Sequence, residues 1–234
     1  MASKSEQSFG ARVANAAKIR DSIKTFSDYA PPRDTESLES YTKCIEKASA
    51  SNETVAICLD NYNKATQVRI QQFRTDELSV LRLLSPIGRS VMAQYGKGSR
   101  EDKLTSSIIS NLRSAKISKK AVDSADTQKI SQSEQSYGSI TQSFKNLIAT
   151  LGNFEGYNPS RFELTLPALT ALSGTLDDIN QNVNTTLSTL RKKRSERTEC
   201  YDDLRDRTLR IKAYVSAQYG LKSAEFKSIS SLKV

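Results

Sequence analysis

The stretch from Leu166 to Tyr219, LPALTALSGTLDDINQNVNTTLSTLRKKRSERTECYDDLRDRTLRIKAYVSAQY, decides the fold. Starting just before it, apolar residues fall at Phe162, Leu166, Leu169, Leu172, Leu176, Ile179, Val183, Leu187 and Leu190, in steps of three and four. Tyr201, Leu204, Ile211 and Val215 resume the same phase. Steps of three and four return side chains to one face of an α-helix, whereas a strand would need a period of two. Pro167 stands at the start, where a helix tolerates it. At about 1.5 Å per residue such a helix is roughly 80 Å long. That exceeds the width of a single core, so the spacing predicts a rod-like bundle in which the helix runs along partners.

An earlier stretch repeats the pattern through Leu38, Tyr41, Ile45, Val55, Leu59, Tyr62, Phe73, Val80, Leu84, Ile87 and Val91. Two features interrupt it. Ser49-Ala-Ser-Asn52 is a candidate break, and Pro86 removes a backbone donor and is expected to kink the helix near Arg82. The expectation is a kinked but continuous helix within 36–95, matched by a second long helix within 164–219.

The two stretches belong to a longer self-similarity. Phe26-Ser-Asp-Tyr29-Ala-Pro31-Pro-Arg33 matches Phe154-Glu-Gly-Tyr157-Asn-Pro159-Ser-Arg161 at an offset of 128, as Phe9-Gly10 matches Tyr137-Gly138. Ala93-Gln94-Tyr95-Gly96 matches Ala217-Gln218-Tyr219-Gly220 at an offset of 124. The difference places a four-residue insertion in the first copy between Arg33 and Arg89, about one helical turn, which a long helix can absorb as a stutter. The organisation expected is a first helical repeat unit at 1–117, a polar linker at 118–134 and a second unit at 135–234, the units packing into one elongated bundle. The fold class is all-α, with two long coiled-coil-like helices arising from an internal duplication.

Both copies carry Tyr-Gly-x-x-Ser-x-Glu: Tyr95-Gly96 with Ser99 and Glu101, and Tyr219-Gly220 with Ser223 and Glu225. A phosphate loop would need a following Gly-Lys-Ser/Thr, which is missing. Helix punctuation explains the motif better. Gly96 and Gly220 stand where a left-handed helix stop is wanted, Ser99 and Ser223 where an oxygen caps the next helix, and the glutamates in its first turn. Tyr29-x-Pro31 and Tyr157-x-Pro159 read likewise as a helix stop with a tyrosine covering the bundle end, a partner docking site being the alternative. The closing Gln-Tyr-Gly-x-x-Ser-x-Glu-x-Lys pattern, the Tyr-x-Pro turn and Ile211-Lys212-Ala213-Tyr214-Val215 resemble a group of uncharacterised all-helical bundle proteins of Bacteroidota-type bacteria. The resemblance extends over nearly the whole chain, and it implies a helical bundle in a bacterial cytosol without carrying an activity.

Composition narrows the chemistry. The chain has 234 residues, no His, no Trp, three Cys, nine Gly and five Pro. Without imidazole there is no Ser-His or Cys-His nucleophile and no His-bearing metal site, so neither enzyme activity, cofactor nor metal is expected. Cys44, Cys58 and Cys200 are odd in number and widely spaced, which suits reduced thiols; Arg197 beside Cys200 could favour a thiolate there. The N-terminus lacks the apolar run of a secretory signal and no segment reaches the length of a membrane span, so the expected setting is cytoplasmic, with no membrane partner.

Lys and Arg number 35 against 26 Asp and Glu, a formal charge of +9. The excess gathers at 89–120, where eight basic residues face two acids, and at Arg191-Lys192-Lys193-Arg194 with Arg197. Four consecutive charges sweep through a helical turn, so at least one faces the buried seam, and Arg194 and Arg197 are expected in mid-seam, where they fix which helices pair and in which register. The rest form a solvated belt with Glu196, Glu199, Asp202, Asp203 and Asp206. Three functions compete. A non-catalytic structural or protein-interaction bundle, acting through helical surface and with a protein partner or self-association, fits best. Non-specific nucleic-acid binding through the two clusters is the alternative, although no stacking aromatics interleave them. The third is a site between the long helices built from Arg194, Arg197, Tyr201 and Asp202.

Overall fold

A computed structural model of the chain describes residues 4–114 and 132–234, with side chains for 8–113 and 137–234. The fold is all-α. Its helices are α1 (Lys4–Ile23), α2 (Leu38–Ile70), α3 (Val80–Tyr95), α4 (Arg100–Ser114), α5 (Gln132–Gly152), α6 (Leu166–Tyr219) and α7 (Ala224–Ser230). Short 3₁₀ turns at Asp34–Glu36 and Phe162–Leu164 lead into α2 and α6, and no strand occurs among the described residues. Of the polar linker expected at 118–134, residues 118–131 lie outside the described residues and 132–134 open α5.

Helix α6 runs unbroken for 54 residues, as its apolar spacing predicts. The first long stretch differs from expectation. It passes through Ser49-Ala-Ser-Asn52 without a break but is not continuous to Tyr95. At Gln71–Thr75 the helix widens to π geometry, Asp76 turns extended at φ −65 and ψ 151, and α3 starts afresh at Val80. The reason lies in the spacing of buried residues. Seven positions separate buried Phe73 from buried Val80, whereas three separate Tyr201 from Leu204. The chain between Thr75 and Val80 is looped out of the helix instead of continuing it, and Phe73 and Val80 on either side keep their apolar side chains inward. Pro86 lies well inside α3, beyond the break.

Two compact units divide the chain, Met1–Asn61 with Ser188–Val234, and Tyr62–Leu187. The first packs Ile19 and Ile23 of α1 and Tyr41 and Ile45 of α2 against Leu204, Ile211 and Val215 of α6 and Ile229 of α7. The second packs Leu84, Ile87 and Val91 of α3 and Leu112 of α4 against Phe144, Leu147 and Leu151 of α5 and Leu169 and Leu176 of α6. Each fully buried Leu, Ile or Phe contributes about 1.5–3 kcal/mol of transfer free energy, so these two clusters hold the units together. Gly88 permits a close approach of α3 and α4: a Cβ there would stand 3.2 Å from Ile109 Cδ1.

Candidate interaction site

The repeated Tyr-Gly motif closes α3 and α6. Gly96 has φ 93 and ψ 149, and Gly220 has φ 94. The positive φ is as expected, but the ψ of Gly96 is extended, so its stop is not the left-handed helical conformation the motif suggests. Ser99 Oγ accepts from the Asp102 backbone N–H at 3.0 Å, and Ser223 Oγ from that of Phe226 at 3.0 Å. These oxygens satisfy donors that a helix start leaves without partners.

Proline is not the helix stop at the Tyr-x-Pro turns. Helices α1 and α5 end at Ile23 and Gly152, well before Pro31 and Pro159. The tyrosines instead brace the next turn: Tyr29 donates from its hydroxyl to the Glu36 carbonyl at 2.8 Å, and Tyr157 to the Leu164 carbonyl at 3.0 Å. Burial, with the Tyr95 ring oxygen a smaller contribution, pushes the Tyr157 hydroxyl up to about 12.

Of the basic cluster in α6, Arg191, Lys192 and Arg194 are exposed, and Lys193 pairs with Glu196 at 2.8 Å. None of these four is buried, so Arg194 does not take the mid-seam place expected of it; Arg197, outside the run of four, is the one that turns inward. It is 5% exposed, with its guanidinium carbon 4.1 Å from the Phe9 ring centroid. Tyr201, also buried, donates to the Phe9 carbonyl at 3.0 Å and accepts from Asn52 Nδ2 at 2.7 Å. Arg197 and Tyr201 thus both meet Phe9, while Arg194 and Asp202 point to solvent, so the four residues do not converge on one site. Neither Arg197 nor Tyr201 lines the nearby open cleft of about 440 Å³, which is walled by Lys47, Ser51, Lys193, Glu196, Cys200 and Asp203.

A polar cluster that no motif announces lies in the same unit. Glu36 is 3% exposed and accepts from Arg210 Nε at 2.6 Å and from Thr35 Oγ1 at 2.9 Å. Burial alone would raise its carboxyl, yet the hydrogen bonds from Arg210 and Thr35 and the charges of Arg210 and Arg33 hold it below its ordinary value. Alongside, Arg207 bonds Asp203 at 2.9 Å and the Thr35 carbonyl at 2.9 Å. Burial, reinforced by the charge of Asp203, pushes the Cys44 thiol up to about 11, which makes it a poor nucleophile.

The other unit carries an open groove of about 730 Å³ at the break between α2 and α3. Leu83, Ala168, Ala171 and Leu172 line it, and Leu78 and Phe162 stand at its edge, 46% and 74% exposed. The exposure of Phe162 departs from the expectation that it begins the α6 seam: it sits in the 3₁₀ turn ahead of α6, outside the helical period. Asp76, Glu77 and Glu163 give the groove an acidic rim. Comparison of the two stretches predicts a four-residue insertion but not that a break in the helix opens an apolar surface.

Of the cluster at 89–120, Arg89, Lys97, Arg100, Lys103 and Arg113 are exposed on α3, α4 and their connection, and Lys116, Lys119 and Lys120 lie outside the described residues. Among the described residues, no group of three or more Cys, Asp or Glu could hold a metal ion, and no helix is long and apolar enough to cross a membrane. No protein-family model, curated protein or solved structure matches the chain.

Proposed function

We propose that the chain is a protein-interaction bundle that works by presenting helical surface, and that the groove beside Phe162 receives a helical segment of its partner. The observation that supports this most is the pair Phe162 and Leu78, exposed over a floor of Leu83 and Leu172. Covering Phe162 would contribute about 1.5–3 kcal/mol, the scale of an interface anchor. The acids at the rim favour a segment whose apolar anchor is flanked by Lys or Arg. Photo-crosslinking from position 78 of the full chain, in the cells that make it, tests the reading. A discrete protein adduct is expected, reduced at least tenfold by Phe162→Glu with the unfolding midpoint unchanged. An adduct of twice the chain mass identifies self-association, and adducts indifferent to Phe162→Glu overturn the proposal.

The exposed cations on α3, α4 and α6 favour a second reading, non-specific binding of nucleic-acid phosphates. Its sign would be affinity for mixed nucleic acid that falls steeply with salt and survives Phe162→Glu.

A further inference from the structure

The aromatic contacts of the two units repeat one another, and each joins opposite halves of the sequence. In one unit the Phe9 ring meets Tyr201 edge-on at 4.7 Å, with Arg197 over Phe9 at 4.1 Å. In the other, Tyr137 meets Phe73 edge-on at 4.8 Å, with Arg69 over Tyr137 at 4.3 Å. Each residue of the second set lies 128 positions from its counterpart in the first. The far ends of the same helices behave alike. Phe26 packs on Tyr219 at 5.7 Å and Phe154 on Tyr95 at 5.7 Å. The Tyr219 hydroxyl donates to the Ser27 carbonyl, and the Tyr95 hydroxyl donates to the Glu155 carbonyl at 3.0 Å. Asp28 and Gly156, the residues that follow these carbonyls, have φ 60 and 69.

If the two halves of the chain folded separately, Phe9 would meet Phe73 and Tyr137 would meet Tyr201. Neither happens. α1 packs on α6 and α7 of the other half as well as on α2, and α5 on residues of α2, α3 and α4 of the other half as well as on α6. The two arms also share more sequence than their rings, Ser5-Glu6-Gln7-Ser8-Phe9-Gly10 against Ser133-Glu134-Gln135-Ser136-Tyr137-Gly138. We infer that arm and clasp are one recognition pair used twice: an aromatic arm helix seated on a ring and an arginine of the other half, with the two halves exchanging arms as the protomers of a domain-swapped dimer do. The partner that either clasp fits is therefore an arm helix presenting Phe9-Gly10 or Tyr137-Gly138, from this chain or from a second copy of it. The exchange also accounts for the division of the chain, in which one unit joins its two ends and the other its middle.

Interchangeability is the testable content. In the full chain, residues 4–11 can be given the sequence of 132–139 through Lys4→Gln, Phe9→Tyr and Ala11→Ser, and the converse exchange made at 132–139, which leaves Arg12 and the buried Ile140 in place. Both exchanges are expected to unfold within about 5 °C of the unaltered chain, and the first with Ala at position 9 about 6–12 °C lower still. Exchanges that fall as far as the Ala control overturn the inference. A second readout does not require the exchanges to fold. Labelled peptides 4–24 and 132–152 are titrated by anisotropy into the full chain carrying Phe9→Ala, whose own arm is weakened. Both should bind, with dissociation constants within tenfold of each other; binding of one alone, or of neither, overturns it.

Discussion

At Gly96 the chain leaves α3 through φ 93 and ψ 149, a region in which a Cβ is strained whatever space surrounds it. Nothing lies within 4 Å of a Cβ built there, so Gly96→Ala costs backbone strain alone, about 1–3 kcal/mol in urea denaturation. Gly10, inside α1 and equally uncrowded, gives the opposite sign, with Gly10→Ala stabilising by up to about 1 kcal/mol. Equal losses at both positions would refute the backbone account. The need for glycine is legible in Tyr-Gly-x-x-Ser, because a stop followed by a cap leaves few alternatives. The ψ angle is not legible, because glycine permits several. Arg197 divides in the same way. Spacing places both Arg194 and Arg197 in the seam, but only Arg197 turns inward, because α1 brings the Phe9 ring to it from 188 residues away in sequence, while Arg194 stays exposed.

Helix α6 is readable from its spacing because each apolar step reports one helical face. The α2–α3 stretch shows where such a reading ends. Spacing counts the surplus residues, and whether a helix stutters or loops them out depends on contacts from elsewhere in the chain: Phe73 is held by Tyr137 and Val80 lies within the same core, so neither gives up its place to keep the helix continuous. Leu78 and Glu77 are left exposed between two helices, where backbone is accessible to a protease. Limited digestion with a glutamate-specific protease should therefore cut after Glu77 before it cuts after Glu46 or Glu53, which lie inside α2. Deleting residues 76–79 leaves Phe73 and Val80 three apart, the spacing of Tyr201 and Leu204. That deletion should remove the early cut with no fall in unfolding midpoint. Early cleavage within α2, or a chain that no longer unfolds cooperatively after the deletion, would refute a looped-out turn.

Across the whole molecule the two units are alike in their aromatic contacts and in a buried arginine, Arg197 in one and Arg69 in the other, but not in a buried carboxylate. Glu36 occupies a 3₁₀ turn in one unit; the corresponding turn in the other has the buried apolar Leu164. Periodicity does not reveal such a difference, since both residues lie ahead of a long helix and outside its repeat. It nevertheless fixes how the protein meets acid. Glu36 and Asp203 are both held below their ordinary values, burial opposing and arginine contacts prevailing, so each contributes stability above its unfolded value. That stability is lost as pH falls from about 4.5 through the depressed folded values, where protonation weakens the bonds to Arg210 and Arg207. Among the described residues of the other unit no carboxylate is buried, and Glu163, held low there by its own backbone N–H and by Arg161, is accessible and lies outside the apolar cluster, which has no corresponding loss. Pulsed hydrogen exchange after equilibration at pH 3 should thus find α1, α7 and the last turns of α6 deprotected while α3, α4 and α5 retain protection. Glu36→Gln, which keeps the shape and removes the titration, should lower stability at pH 7 and narrow the difference between the units at pH 3. Simultaneous loss in both units, or earlier loss of α3, α4 and α5, would show that the buried Glu36 cluster does not set the acid limit.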